Sequence, residues 1–267
     1  MIRRTLALLA TALWAATALP AQTATICTLL MDADTGQTLL EQGDCTTRVT
    51  PASTFKIALA VMGFDAGLLH GPDSPIMSFR PGDPDWGGAN WTRDTGPADW
   101  MRHSVLWYSQ RLTRDMGQQT LTRYAQGFGY GNADLSGDPG HDNGLERAWI
   151  ASSLTISPRE QTSFLRALLT DSLPVQPQAM ARTRALIDTH PVAGWTLHGK
   201  TGTAYPRRAD RSFDYARGWG WYVGWASRAN DRVIFARLTQ TTERGPGSPG
   251  IMTRDGLLKD WPHLVAP

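Results

Sequence analysis

The sequence has little cysteine, lysine, histidine or net charge, and these shortages narrow the possible functions. Its 267 residues include two cysteines and six scattered histidines. None of them is spaced as in a zinc site, so we expect no metal centre. A formal net charge of +2 is too small to indicate a nucleic-acid partner. With 41% apolar and 19% charged residues, the composition is that of an ordinary globular protein.

Long apolar runs are also missing, except at the N-terminus. Two arginines precede an apolar run over residues 5–19, and small residues follow it. This pattern predicts a secretory signal over residues 1–24, cleaved near 21–24 and too short to span a bilayer comfortably. No later stretch approaches the about 20 apolar residues that a membrane helix needs. We therefore expect residues 25–267 to form one soluble domain in the periplasm, with no membrane anchor after cleavage.

The two cysteines, Cys27 and Cys45, lie near the outer ends of a predicted strand pair. Export to an oxidising compartment favours a disulfide between them, and two buried free thiols are the alternative. On the chain-entropy model, a bridge across this loop would stabilise the fold by about 3 kcal/mol.

Lysine is scarce, because only three of the 26 basic residues are lysines: Lys56, Lys200 and Lys259. A GC-rich coding bias would also explain that imbalance, but the position of Lys56 needs a separate reason. It lies in PASTFKIALAVMGF, which is apolar from Phe55 onward apart from this one residue. Burial of an ammonium group is costly and lowers the pKa of a lysine. The first turn of a helix also disfavours a cation.

Ser53 lies three residues before Lys56, on the same face of the predicted helix. Ser53 could be only a helix N-cap, and Lys56 could reach solvent or pair with an acid. Alternatively, a neutral or modified lysine beside a serine can remove the hydroxyl proton and activate a nucleophile. The Ser-x-x-Lys spacing alone leaves both interpretations open.

Strand patterns occur at both ends of the chain, and helix patterns lie between them. TICTLLMD and TLLEQ predict a hairpin, and GWTLHGKTGTA, GWGWYVGWASR and DRVIFARLTQ predict later strands. DWMRHSVLWYSQRLTRDMG has helical spacing throughout. A further helix begins at SPRE, where Ser157 and Glu160 predict a capping box. A last helix is expected over residues 252–261.

These patterns predict an α+β fold. An antiparallel sheet is built from both chain ends, about residues 25–66 and 191–267, and is flanked by helices. An all-helical lobe, about residues 67–190, is inserted between them. Active sites favour the cleft between two such lobes.

Three further short motifs follow Ser53 and Lys56 along the chain. Ser104 begins Ser-Val-Leu, Tyr130 begins Tyr-Gly-Asn, and Lys200 begins Lys-Thr-Gly inside a predicted strand. Each motif alone is common by chance. Their order and separations together are a strong signal.

With these motifs the chain resembles the class D (oxacillinase-type) serine β-lactamases over nearly all of its length after the signal. Further matching segments are GLERAWIASSLTISPREQ around Trp149 and GWYVGW from Gly220. Without the resemblance, Trp149 would be read as a core tryptophan. Tyr-Gly-Asn is the most discriminating motif, because related penicillin-recognising families usually carry Ser-Asp-Asn or Tyr-Ala-Asn. The resemblance implies a β-lactamase-like fold, hydrolysis of the β-lactam amide of penicillins and cephalosporins, and antibiotic resistance.

The resemblance also implies the catalytic roles. Ser53 is expected to form the acyl-enzyme, and Lys56 to take up carbon dioxide as N6-carboxylysine, the general base for acylation and deacylation. Carbon dioxide or bicarbonate is needed for this modification, and no other cofactor is implied. Trp149 is expected to donate its indole N–H to the carbamate, with Leu106 and Ile150 as a dry wall around it.

Ser104 is expected to relay a proton to the β-lactam nitrogen, with Lys200 keeping that region positive. The backbone N–H groups of Ser53 and Thr203 are the expected oxyanion hole. The substrate-binding residues implied by the resemblance are Tyr130, Asn132, Thr201, Gly202, Thr203 and Arg244. Arg244 is assigned from its place after the last strand. Arg237 or another arginine could serve instead, and Arg244 could equally be a solvated surface residue.

Two positions depart from the family pattern. Leu106 ends the serine triplet where valine is common, and a bulkier wall could narrow the path of carbon dioxide or water to Lys56. Thr203 stands where many members carry a large residue, which puts contacts to substrate side chains in doubt. The Arg-rich segment YPRRADRSFDYAR, residues 205–217, is expected to rim the site.

Three functions compete at this point. The first is the β-lactamase, acting on small-molecule β-lactams as a monomer or homodimer. The second is a penicillin-binding transpeptidase or carboxypeptidase, which an anchor or accessory domain would favour. The third is a non-catalytic β-lactam sensor domain, which would need a transmembrane segment to signal. The sequence shows neither of these accompanying features after the signal, so the β-lactamase is favoured.

Overall fold

The computed structural model describes residues 23–266. The predicted secretory signal lies outside these residues, apart from Thr23 and Ala24, which already belong to the first strand. The strands are β1 (Thr23–Asp32), β2 (Thr38–Gly43), β3 (Thr189–Val192), β4 (Trp195–Ala204), β5 (Trp219–Arg228) and β6 (Asp231–Thr241). The helices are α1 (Phe55–Asp65), α2 (Pro97–His103), α3 (Leu106–Met116), α4 (Gln118–Gly127), α5 (Gly144–Arg147), α6 (Pro158–Leu169), α7 (Pro177–Ala185) and α8 (Pro249–Leu264). No helix among these residues is both long and apolar enough to cross a membrane.

The six strands form one antiparallel sheet in the order β2-β1-β6-β5-β4-β3. β1 and β2 come from the N-terminal part of the chain and the other four from the C-terminal part, which confirms the predicted α+β layout. β1 of one end pairs directly with β6 of the other. The two chain ends are therefore joined through the middle of the sheet.

Alternating side chains divide the core between the two faces of the sheet, as a strand period of two requires. Leu29 and Ile234 belong to the larger core cluster, which the helical lobe covers, whereas their neighbours Leu30 and Phe235 belong to the smaller one. The smaller cluster also contains Trp261 of α8. The sheet is thus a middle layer with helices on both faces.

Cys27 and Cys45 form a disulfide, as expected. Cys27 lies in β1 opposite Gly43 of β2, so the bond connects the hairpin to the chain that leaves it. Both cysteines are buried in the main core. The alternative of two free thiols is wrong.

The helix ends confirm one sequence prediction, at α6, and contradict another, at Ser104. The capping box at α6 is confirmed, since Glu160 N donates to Ser157 Oγ at 3.3 Å and Ser157 N donates to Glu160 Oε2 at 2.9 Å. The single helix predicted across Ser104 is wrong, because two helices meet there. Ser104 ends α2 in a left-handed conformation with φ 57°, and α3 begins only after Val105. A break of this kind leaves no mark on the apolar spacing.

Candidate active site

Ser53 lies in a single turn of 3₁₀-helix, Ala52–Thr54, that leads directly into α1. In the stretch from Pro51 to Phe64 it is the one residue that is not buried. Its hydroxyl makes no capping hydrogen bond to the helix, so the N-cap interpretation of Ser53 is wrong. The hydroxyl therefore stands at the accessible end of an otherwise buried helix.

The backbone before Ser53 is held in an uncommon conformation. Ala52 has φ 51°, which costs free energy for a residue other than glycine and is typical of functional sites. Ala52 N donates to Trp149 O at 3.1 Å, and Thr54 Oγ1 donates to Pro51 O at 2.7 Å. Hydrogen bonds made by the residues on both sides of Ser53 therefore fix the direction of its side chain.

Lys56 is buried with only 2% of its surface exposed, so it does not reach solvent. Burial lowers the pKa of its amine well below the ordinary value, and the positive charge of Lys200 lowers it further. Among the described residues, no carboxylate contributes to the pKa of Lys56 or pairs with it. Burial therefore favours the neutral form of the amine, which lies one helical turn from Ser53.

Ser104 and Lys200 form a direct pair across the cleft. Lys200 Nζ donates to Ser104 Oγ at 2.5 Å and also contacts Thr201 O at 3.3 Å. Burial lowers the pKa of Lys200 to about 8, while the nearby Asp188 opposes that shift. The left-handed turn at Ser104 directs its hydroxyl away from the helix ladder toward β4. The two residues can pass a proton between them near neutral pH.

The Lys-Thr-Gly strand approaches the serine turn along its open edge. β3 pairs with β4 only as far as His198, which leaves the later part of β4 free on that side. A Cβ atom at Gly202 would lie 2.9 Å from Pro51 O and 3.1 Å from Thr54 Cγ2, so only glycine permits this approach. β4 and the Ser53 turn are thereby brought into contact.

Thr203 follows on the same strand, and its side chain is already engaged. Its hydroxyl lies 2.8 Å from Ser248 Oγ and accepts a hydrogen bond from Gly250 N at 2.9 Å. These contacts hold the first turn of α8 against β4. Because the side-chain hydroxyl is engaged, the backbone of Thr203 is the part that can interact with a substrate.

Tyr130 and Asn132 make contacts that support the site, and substrate binding by either residue stays a prediction. Tyr130 is fully buried, and its ring packs against Phe55 at 5.4 Å and Phe164 at 5.2 Å. Asn132 Nδ2 donates to the carbonyl oxygen of residue 153 at 2.8 Å. Its Oδ1 accepts from the backbone N–H of residue 155 at 3.0 Å. These bonds hold the segment that follows Trp149.

We call residues 149–157 the tryptophan loop. Trp149 is 2% exposed, and its ring packs 5.4 Å from that of Phe55 in α1. Leu106 and Ile150 are partly buried and pack against the same core. The loop therefore covers the first turn of α1, where Lys56 lies.

Thr50 is a positioning residue that sequence reasoning missed. Its Oγ1 donates to Trp149 O at 2.8 Å and accepts from Ala151 N at 3.1 Å. Its own carbonyl oxygen accepts from Trp221 Nε1 at 3.0 Å. Thr50 thus joins the tryptophan loop, the serine turn and β5, and no motif in the sequence signals a threonine at this position.

The arginine assigned to the substrate carboxylate lies at the edge of the site. Arg244 is exposed, stacks 5.1 Å over the ring of Tyr215, and lines a pocket of about 330 Å³ beside Ser248. The alternative Arg237 is buried and engaged, because it donates to Thr28 Oγ1 at 3.1 Å and Asp260 Oδ2 at 2.7 Å. Arg237 is therefore excluded, and the role of Arg244 stays a prediction.

Among residues 23–266, no three His, Cys, Asp or Glu side chains are grouped so that they could hold a metal ion. What the fold brings together is a serine at the start of α1, a buried lysine on the next turn, and a serine–lysine pair that links the helical lobe to β4. That constellation defines a penicillin-recognising serine enzyme. The sequence profile of the penicillin binding protein transpeptidase domain matches residues 26–254.

The chain is similar in sequence and structure to several known β-lactamases. β-Lactamase OXA-9 of Klebsiella pneumoniae is 41% identical over 240 residues, which cover 90% of this chain and 88% of that protein. β-Lactamase OXA-1 of Escherichia coli is 36% identical over 213 residues, which cover 78% of this chain and 74% of that protein. The crystal structure of the class D β-lactamase OXA-427 aligns with a TM-score of 0.82 at 42% identity, covering 89% of this chain and 97% of that one. The chain belongs to the class D β-lactamases.

Proposed function

We propose that the protein hydrolyses the β-lactam amide of penicillins and cephalosporins through an acyl-enzyme on Ser53, and so confers resistance. The observation that carries this proposal is one accessible hydroxyl beside a buried lysine that has no acidic partner among residues 23–266. A hydroxyl is a weak nucleophile until a neighbouring base takes its proton. The relatives named β-lactamases support the same activity.

Lys56 is the proposed site of carboxylation. Carbon dioxide adds only to a neutral amine, and burial supplies that form. The carbamate, when present, supplies a general base at the start of α1. The indole of Trp149 and the side chains of Leu106 and Ile150 are the groups proposed to hold it and exclude bulk water. The buried setting of Lys56 fits this modification, since a solvated lysine would be protonated at pH 7.

The remaining residues transfer protons and stabilise the negative charge that develops during the reaction. Ser53 Oγ attacks the β-lactam carbonyl carbon while the base takes its proton, and the ring C–N bond breaks. Ser104, held by Lys200, passes a proton to the departing nitrogen. Backbone N–H groups of Ser53 and Thr203 stabilise the oxyanion, a contribution worth about 10²–10³ in rate for each donor. An activated water then cleaves the ester and frees Ser53.

Substrate binding and location complete the proposal. Thr201 and Arg244 are proposed to bind the substrate carboxylate, because Arg244 lies in the pocket beside the end of β4. Thr201 and Gly202 lie on the strand that faces the serine turn. The N-terminal apolar run and the disulfide support export to the periplasm, where thiols are oxidised.

Steady-state hydrolysis of a chromogenic cephalosporin tests the proposal. Purified protein is expected to complete many turnovers, and added bicarbonate is expected to raise the rate most below neutral pH, where the carbamate is lost. The exposed Lys259 offers a matched control, since Lys259→Ala should keep both properties. A stoichiometric burst without turnover would instead support the transpeptidase or sensor functions, and indifference to bicarbonate would refute the modified lysine.

A further inference from the structure

The peptide unit that precedes Ser53, between Pro51 and Ala52, is held at both of its polar atoms. Its carbonyl oxygen accepts from Thr54 Oγ1 at 2.7 Å and from Thr54 N at 3.2 Å. Its N–H, on Ala52, donates to Trp149 O at 3.1 Å. Ala52 has φ 51°, which a residue other than glycine keeps only where its surroundings impose it. The orientation of this one peptide therefore sets the course of the backbone into Ser53.

Thr54 and Gln161 form a buried chain of hydrogen bonds behind this peptide. Gln161 Nε2, from α6, donates to Thr54 Oγ1 at 2.8 Å, and each residue is only 1% exposed. A threonine hydroxyl has a single proton to donate. Because the amide of Gln161 donates to the hydroxyl oxygen, that proton stays directed at Pro51 O. The chain therefore runs in one direction, from Gln161 through Thr54 to the Pro51 carbonyl.

The Pro51 carbonyl lies where the serine turn meets β4. A Cβ atom at Gly202 would lie 2.9 Å from Pro51 O and 3.1 Å from Thr54 Cγ2. Ser53 is two residues beyond Pro51, and Thr203 is one residue beyond Gly202. A displacement of the Pro51 carbonyl would therefore move the backbone N–H of Ser53 relative to that of Thr203.

A buried threonine hydroxyl that bonds a nearby carbonyl carries no functional argument by itself. Thr162 of α6 makes a contact of the same kind, to Arg159 O at 2.9 Å, inside an ordinary helix. Thr54 differs in two respects. Its oxygen also receives a hydrogen bond from another element, and its acceptor belongs to the peptide before the left-handed Ala52. A buried polar network with all members satisfied makes its surroundings rigid.

We propose that Gln161 and Thr54 are positioning residues for acylation, which act through the Pro51 carbonyl to hold the Ser53 N–H where it stabilises the oxyanion. This proposal rests on the proposed function, in which Ser53 N–H is one of the two oxyanion donors. Such donors contribute most where charge develops in the transition state. Loss of the chain should therefore slow acylation without weakening the binding of the intact β-lactam.

Acylation of Ser53 by benzylpenicillin, followed by rapid quench and intact mass over a range of concentrations, tests the proposal. Thr54→Val keeps the shape of the side chain and removes its hydroxyl. It should lower the limiting acylation rate about tenfold and change the half-saturating concentration by less than about twofold. Thr54→Ser restores the hydroxyl and should bring the rate back to within about twofold of the parent.

Gln161→Met tests the other end of the chain, because it keeps the length of the side chain and removes the donor. It should slow acylation about threefold, since the Thr54 hydroxyl can then turn away from Pro51 O. The double variant should be no slower than Thr54→Val alone, because both changes act through one hydroxyl. If Thr54→Val yields no folded protein, the rate of Gln161→Met decides the question.

Thr162→Val is the matched control, since it removes a buried hydroxyl that donates to a carbonyl three residues earlier. It should lower Tm as Thr54→Val does and leave the acylation rate unchanged. A parental rate in Thr54→Val, an equal slowing in Thr162→Val, or fully multiplied effects in the double variant would overturn the proposal. A failure of the proposed function would instead appear in the parent, as an acyl-enzyme that forms and is not hydrolysed, and the comparison of acylation rates would remain.

Discussion

At the scale of single residues, the burial of Lys56 lowers the stability of the native state but supplies a reactive amine. Its amine lies in the most buried helix of the structure, beside a second buried lysine and without a compensating carboxylate among the described residues. A lysine whose pKa is lowered by folding destabilises the native state, because the unfolded chain binds the proton more tightly. The same loss leaves the amine neutral and able to react.

Replacement of Lys56 by methionine should therefore stabilise the protein while it abolishes turnover. In carbon dioxide-free buffer, Lys56→Met should raise Tm, by about 2–4 °C for each 1 kcal/mol of relief. The gap should be widest at low pH and close as pH rises toward about 10.4, the ordinary lysine value, since the unfolded chain then loses the proton too. Differential scanning calorimetry across pH measures it.

Lys259→Met serves as the comparison, because Lys259 is exposed. It should leave Tm nearly unchanged. A Lys56→Met protein less stable than the parent at every pH would show that the buried amine contributes favourable contacts to the native state.

At the scale of elements, the tryptophan loop depends on anchors from three directions. Thr50 binds it from the serine turn, Asn132 from the Tyr-Gly-Asn turn and Asp138 from the helical lobe. Gly131 permits the second of these contacts, since a Cβ there would lie 2.0 Å from the carbonyl oxygen of Thr155. The Tyr-Gly-Asn turn thus holds the tryptophan loop, which covers Lys56, in place.

Asn132→Ala should accordingly weaken both stability and carboxylation. It removes hydrogen bonds to two loop backbone groups, a loss of about 1–3 kcal/mol from the free energy of unfolding. The loosened loop should then require more bicarbonate for half-maximal activity. Urea unfolding and a bicarbonate titration of the hydrolysis rate measure the two effects. Asn230→Ala, at an exposed turn, should change neither, and an Asn132→Ala protein with unaltered bicarbonate dependence would separate the loop from Lys56.

Periodicity predicted the sheet strands and the major helices, because alternation and helical spacing report which face is buried. It missed α7, since only Ala179, Met180 and Thr183 of that helix are buried. It also missed β3, a four-residue strand that contains a proline. Motif order located Ser53, Lys56, Ser104 and Lys200, and the structure brings Ser104 and Lys200 together. The supporting role of Tyr130, Asn132 and Thr50 could not be read from sequence, because it depends on which loop folds over them.

At the scale of the whole molecule, the site exists because two lobes from distant parts of the chain meet. β1 pairs with β6 in the sheet. The tryptophan loop and α6, which belong to the helical lobe, pack into the core that this sheet covers. The disulfide secures the N-terminal hairpin that leads to the serine turn. Neither cysteine takes part in the hydrogen bonds of Ser104 and Lys200, so we expect the disulfide to contribute to stability.

The double variant Cys27→Ser/Cys45→Ser tests that separation. Loss of the bond should reduce the free energy of unfolding by about 3 kcal/mol, or lower Tm by roughly 6–12 °C for a chain of this size. Hydrolysis at 25 °C should persist with similar kcat/KM. Thermal unfolding and initial rates on one preparation provide both values. A folded variant with greatly reduced kcat/KM would mean that the hairpin shapes the cleft directly.

The most direct test of the account is to observe the modified lysine itself. Active protein equilibrated with ¹³C-labelled bicarbonate is examined by carbon NMR while its hydrolysis rate is measured. The account predicts one carbamate resonance that disappears on acidification together with activity, returns with added bicarbonate, and is missing from Lys56→Met. A fully active protein that shows no carbamate resonance under these conditions would contradict it.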